Sequence, residues 1–303
     1  MTLYTHIGAN VRRTWFLFVI FFIVIIGLGW FLSYYFEDQS ILFWAVGISI
    51  FMSFFSYWFS DKIVLGVSGA RQVEHDQAPE LYHLVENLCI TAGLPLPKIY
   101  IIDDPSPNAF ATGRNPKNAV VAVTTGLLSA LNKTELEGVI AHELSHVGNR
   151  DILLQTVVVV LVGTVSLISD MFIRGRMFGG KKNNNNNGGG QIGAILMIVG
   201  LVFIILSPII SKLIQLAISR KREYLADASG ALLTRYPEGL ASALEKIAQN
   251  STPLKKTHKA MAHLYISSPY LSTSGGKVNK LTNLFSTHPP IQERIKRLRE
   301  TSK

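Results

Sequence analysis

Two histidines four residues apart with a glutamate between them, His142-Glu143-Leu144-Ser145-His146, are the residues of this chain best suited to chemistry. On a helix, positions i and i+4 share a face, so both imidazoles can aim at one ion. That is half of a tetrahedral zinc site; a catalytic zinc takes three protein ligands and keeps one position open. Glu143 is too near in sequence to share the ion comfortably, but is well placed to hold a water and take its proton. The third ligand must come from elsewhere. Glu223 is the best candidate, because it sits on a predicted helix with Asp227 four residues later on the same face. Glu223 could then coordinate while Asp227 takes the free ring N–H of a ligand histidine. The plain alternative pairs Glu223 with Arg220 or Arg222 on a solvated face. Beside the histidine pair, the ligand reading is preferred.

The elements that must position these residues are unusually apolar. Of the 303 residues, 48% are hydrophobic and 16% charged, with a mean hydropathy of +0.29, too apolar for an ordinary soluble enzyme. The net charge of +9 first raises nucleic acid or anionic lipid as partners. No basic, aromatic-interleaved nucleic-acid module occurs, and much of the positive charge flanks apolar runs, so lipid is favoured and nucleic acid is not expected. The single cysteine, Cys89, excludes an internal disulfide framework and fits a reducing compartment and a packing role.

Two uncharged runs, Thr14 to Phe36 and Gln39 to Ser60, flank an acidic turn at Glu37-Asp38 and read as a transmembrane hairpin. Arg12 and Arg13 before it, and Lys62 and Arg71 after it, put both ends in the cytoplasm. A soluble character follows: a helix from about Ala78 to Ala92, strands at Lys98 to Ile102 and Ala119 to Thr124, and a helix near Thr125 that breaks at Asn132. Asn132 or Thr134 then caps the motif helix. That helix feeds a third apolar run, Ile152 to Ser169, and a fourth follows at Ile192 to Ser211. The expected division is a hairpin at 1–60, a first catalytic part at 61–151, a second hairpin at 152–219 with an Asn/Gly-rich loop at 174–191, and a second catalytic part at 220–303.

For His142, His146 and Glu223 to share one ion, an even number of crossings must separate them, which the second hairpin supplies. About six residues, or about 9 Å of helix, lie between His146 and Ile152, so the site is at the membrane surface. If the hairpin spans, however, Arg174, Arg176, Lys181 and Lys182 fall outside, against the positive-inside tendency. Either the first hairpin overrides them, or the two helices pack in or beside the bilayer without fully crossing.

The H-E-x-x-H motif, the later Ser219-Arg-Lys-Arg-Glu-Tyr-Leu-Ala-Asp227, the Asn108-Ala109-Phe110-Ala111 segment, the first hairpin and His288-Pro289-Pro290 together resemble the HtpX-like membrane zinc metalloproteases, relatives of the CAAX prenyl proteases. The resemblance covers nearly the whole chain. It implies a mainly α membrane protein with four transmembrane helices and a cytoplasmic α+β gluzincin-type metalloprotease domain with a small β-sheet. It implies one Zn2+ per subunit on His142, His146 and Glu223, Glu143 as catalytic base, and Asp227 as the carboxylate behind a ligand. His288 and Arg294 are candidate donors to a developing oxyanion. Asn108, Ala109 and Phe110 are candidates for pairing with an extended substrate by strand addition. The implied role is stress-linked proteolysis at the inner or plasma membrane, on damaged membrane proteins and unfolded polypeptides. A CAAX-type prenyl endopeptidase would need more spans, and an idle zinc-bound scaffold would have no use for Glu143.

Overall fold

The computed structural model describes residues 3–159, 220–250, 254, 264–266 and 289–301. The fourth apolar run, most of the third, the 174–191 loop and His288 therefore lie outside the described residues.

Two long helices open the chain, α1 (Leu3–Phe36) and α2 (Ser40–Ser68), antiparallel and joined at a tight turn in which Glu37 takes a φ of 53°. Gly8–Tyr35 and Ser40–Ser68, of 28 and 29 residues, are long and apolar enough to cross a membrane by length and composition. The helices run past the uncharged stretches at both outer ends. Their packing is close where residues are small: a Cβ on Gly29 would collide with that of Ala45. Trp15, Trp30, Phe43, Trp44 and Phe51 project outward and exposed, where a water-facing helix would carry charge.

Beyond the hairpin lies a four-stranded sheet of β1 (Arg71–Gln72), β2 (Lys98–Ile102), β3 (Ala109–Gly113) and β4 (Ala119–Thr124), in the order β1-β2-β4-β3. β2 and β4 run parallel; β1 and β3 pair antiparallel to them, which puts β3 at an edge. Alternation along the strands divides two cores. Ile99, Ile101, Ala109, Ala111, Val121 and Val123 face the helix that carries His142 and His146 and the helices around it. Ile102, Phe110, Val120 and Ala122 face the other way, toward Val64 and Leu65 of α2 and Val159. The sheet is thus buried on both sides, which accounts for β4 reading as a continuous apolar run.

Helix α3 (Pro79–Ala92) starts with proline in its first turn and ends at Gly93, whose φ of 65° lets Leu94 N–H reach back to the Cys89 carbonyl at 3.0 Å. A short α4 (Thr125–Ala130) leads to the motif helix α5 (Lys133–Gly148). Residues 151–159 are again helical. After them come α6 (Arg220–Thr234), α7 (Pro237–Gln249) and α8 (Ile291–Thr301). α5 is the hub: it packs on α6, α7, α3 and β3 and is buried on nearly all faces from Gly138 to Val147.

Glu135 fixes where this hub begins and what it packs on. Asn132 Oδ1 accepts from Glu135 N–H at 3.0 Å, and Glu135 Oε2 accepts from Asn132 N–H at 2.8 Å, a complete capping box. The same carboxylate accepts from Ser242 Oγ and Lys246 Nζ of α7, both at 2.7 Å. Burial alone would raise its pKa, but Lys246, Ser242 and the Asn132 N–H outweigh burial and hold it below 4.5. Its contribution is therefore full above pH 4.5 and is lost as pH falls through the lower folded value. Glu135→Ala is expected to cost about 1–3 kcal/mol at pH 7, read by denaturant unfolding in detergent. The difference from the parent should shrink below pH 4.5 and stay constant between pH 6 and 8.

Candidate metal centre

His142 and His146 lie one turn apart on α5, their side chains 1% and 6% exposed. Their Nε2 atoms are 3.3 Å apart. Glu223, in the first turn of α6, brings Oε2 to 3.9 Å from His142 Nε2 and Oε1 to 3.6 Å from His146 Nε2. All three ligand-type atoms fall within 4.8 Å of one another. Donors about 2.0–2.1 Å from one tetrahedral centre stand about 3.3–3.4 Å apart, so the cluster needs little adjustment to hold a zinc-sized ion.

Close helix packing makes this meeting possible. At Gly230 a Cβ would sit 3.0 Å from the His142 backbone nitrogen, so α6 rests directly on the α5 backbone. Glu223 and Asp227 lie seven and three residues before Gly230, on the same face of α6. A larger residue at 230 would push that face, and the short Glu223 arm, away from the imidazoles.

Each histidine has a carboxylate behind it. Asp227 Oδ1 is 2.9 Å from His142 Nδ1, and Asp151 Oδ2 is 3.1 Å from His146 Nδ1. Such contacts set ring orientation and leave the Nε2 lone pairs facing the space shared with Glu223. Arg294 of α8 is fully buried and grips Asp227 with two bonds, Nε to Oδ2 at 2.9 Å and Nη2 to Oδ1 at 2.6 Å. Its Nη1 donates to the Ile266 carbonyl at 3.1 Å and lies 3.9 Å from Glu223 Oε2, while Nη2 is 3.4 Å from His142 Nε2.

Four carboxylates are buried here, those of Glu143, Asp151, Glu223 and Asp227, against the two guanidiniums of Arg222 and Arg294. With neutral imidazoles the balance is two negative charges, which a divalent cation would neutralise. The titrating groups respond to burial and to one another. Burial lifts the Glu143 carboxyl to about 7, with Glu223 adding to the lift while His146 and the Ala111 N–H oppose it. For His146, burial favours the neutral ring, but Asp151, Glu223 and Glu143 outweigh it and raise the pKa to about 9. For Asp227, burial is overcome by Arg294 and His142, and its pKa falls to about 2.

The other expected residues are placed as follows. Asn108 is buried; its N–H donates to Thr124 Oγ1 and its Oδ1 accepts from Ala109 N–H, so it shapes the entry to β3. Phe110 turns its side chain to the core behind the sheet, edge-on to Tyr265 with ring centroids 5.2 Å apart, away from the histidines. Since Thr124 N–H pairs with the Asn108 carbonyl, the alternate residues Ala109 and Ala111 carry the main-chain groups of the open edge. Ala109 O already accepts from Ile266 N–H at 3.0 Å. The Ala111 N–H is given to the Glu143 carboxylate, so a peptide adding to this edge would meet the Ala111 carbonyl and not the Phe110 ring.

Sequence reasoning missed Asp151. It lies beyond the end of α5 at Gly148, after Arg150, whose φ of 56° breaks the helical register, so no helical spacing relates Asp151 to His146. The one available signal was a carboxylate within a few residues of the second histidine.

Residues 75–302 match Peptidase family M48. A protein named Protease HtpX homolog from Dictyoglomus turgidum is 47% identical over 299 residues, covering 98% of this chain and 94% of its own. Proteins of the same name from Caldanaerobacter subterraneus subsp. tengcongensis and Tropheryma whipplei (strain Twist) are 44% and 46% identical over 300 residues, with 98% of this chain covered in each case and 97% and 98% of theirs. The crystal structure of S. mikatae Ste24p aligns with 93% of this chain at 20% identity and a TM-score of 0.48; this chain spans 62% of that one.

Replacing Asp151 by alanine should weaken zinc binding by about 10–100-fold, measured by competition with a chromogenic chelator. An unchanged affinity would mean that the contact to His146 has no bearing on the ion.

Proposed function

The chain belongs to peptidase family M48 and is a metalloprotease; from that premise we propose that His142, His146 and Glu223 hold one zinc ion per subunit and that Glu143 is the catalytic base. The observation that carries the reading is the convergence of three buried ligand-type atoms within 4.8 Å, beside a carboxylate with a raised pKa. When bound, the cation would supply Lewis acidity, polarising the scissile carbonyl and acidifying the attacking water.

The remaining work falls to side chains. Glu143, whose carboxyl burial makes more basic, takes the proton of the attacking water and passes it to the leaving amine. Asp227 and Asp151 keep His142 and His146 in the tautomer with Nε2 free. Arg294 holds Asp227 ionised, and it reaches the developing negative charge only as far as its grip on Asp227 allows. The carbonyl of Ala111 at the edge of β3 would align an extended substrate beside Glu143, whose carboxylate the Ala111 N–H holds. His288, beside Pro289 and Pro290, is a second candidate oxyanion donor.

The proposed setting is the inner or plasma membrane, with the catalytic domain cytoplasmic. Supporting it are the two long apolar helices, Arg12 and Arg13 before them, Glu37 and Asp38 at their turn, and Lys62 and Arg71 after them. We also propose that residues 152–219 form a second hairpin, giving four spans between catalytic parts 61–151 and 220–303 and returning Glu223 to the side of the histidines. Substrates would be damaged membrane proteins and unfolded polypeptides in a stress-linked pathway of quality control.

Purified protein supplied with zinc should cleave casein. Glu143→Gln should lower turnover by at least ~10²-fold while keeping its zinc. Equal cleavage by that variant would overturn the assignment of the base.

A further inference from the structure

Asn10 lies on α1, 132 residues before His142 in the chain, yet it is only 3% exposed and bonded to the surroundings of the metal centre. Its Nδ2 donates to Asp151 Oδ1 at 2.7 Å and to the Asn149 carbonyl at 3.0 Å. Its Oδ1 accepts from Arg222 Nη1 at 3.2 Å. Asp151 uses its other oxygen to hold His146, and Arg222 is the residue before Glu223. One side-chain amide from the first apolar helix thus bridges the two stretches that supply the cluster.

We propose that Asn10 is a positioning residue of the metal centre, whose side-chain amide fixes His146 through Asp151 and Glu223 through the neighbouring Arg222. The inference rests on the metal-centre reading above. The chemistry of the position calls for a primary amide: two donors face a carboxylate and a carbonyl, and one acceptor faces a guanidinium. A carboxylate turns freely about its last torsion unless both oxygens are engaged. Here Oδ1 is held by Asn10, with Arg222 Nε farther off at 3.6 Å, and Oδ2 by His146. Releasing Oδ1 lets Asp151 rotate, and the His146 ring loses its fixed bearing. An aspartate at position 10 would keep the shape but set one carboxylate against another.

The test uses full-length protein in detergent micelles, in a Glu143→Gln background to prevent self-cleavage. Zinc affinity is measured by chelator competition, and site geometry by the visible absorption of bound cobalt(II). Asn10→Ala and Asn10→Asp should each lose about 10–100-fold in zinc affinity and alter the cobalt spectrum. Leu17→Ala, which removes another buried side chain of α1, should lower the melting temperature and leave both readouts at parent values. The proposal is overturned if either Asn10 variant folds and binds zinc as tightly as the parent, or if Leu17→Ala loses as much affinity. A His146→Ala variant with parental zinc affinity would remove the metal-centre reading itself, and this coupling with it.

Discussion

Burying four carboxylates around two imidazoles is the constraint on which the rest of this protein is built. Charge removed from water costs several kcal/mol per ion unless it is paired. The chain meets that cost with two buried guanidiniums, from α6 and α8, and with main-chain and imidazole donors. It does not cancel the charge. Burial raises Glu143, while the surrounding carboxylates raise His146 against burial, in a cluster that a cation would neutralise. In that sense the fold stores an electrostatic demand, and family membership identifies the chemistry that satisfies it.

Holding such a cluster requires helices that cannot drift. α5 is gripped at its start by the Glu135 network and along its length by apolar neighbours on every side. α6 is pressed against it where Gly230 admits the His142 backbone. α8 adds its apolar Ile295 and Leu298 to the same core and anchors to α7 on the surface, where Arg299 spans Glu238 and Glu245. That docking carries Arg294 inward to Asp227. The sheet works as a wall: one face supports α5, the other rests on the end of α2.

This wall also connects the catalytic part to the apolar hairpin. Val64 and Leu65 pack under the sheet, and Asn10 reaches the bonds around Asp151. The hairpin is therefore integral to the catalytic core and is more than a tether, which explains why its helices run beyond the uncharged stretches that define them in sequence.

Much of the site was legible in one dimension. A helix repeats every 3.6 residues, so spacing alone puts His142 and His146 on one face and Glu223 and Asp227 on another. Pro79, Gly93 and Asn132 announce their helix ends through local backbone chemistry, and short apolar runs announce β2 and β4, whereas β1 and β3 were not legible. The pairing of Asp227 with His142 in particular, the burial of Arg294, the inward turn of Phe110 and the roles of Asp151 and Asn10 were not legible. Each depends on which segments meet after the chain has closed, and closing it breaks the register that sequence patterns follow. Sequence determined which groups could bind a cation, because donor type and helical spacing are local; tertiary structure decided which carboxylate orients which imidazole, because that follows from helices packed at van der Waals distance.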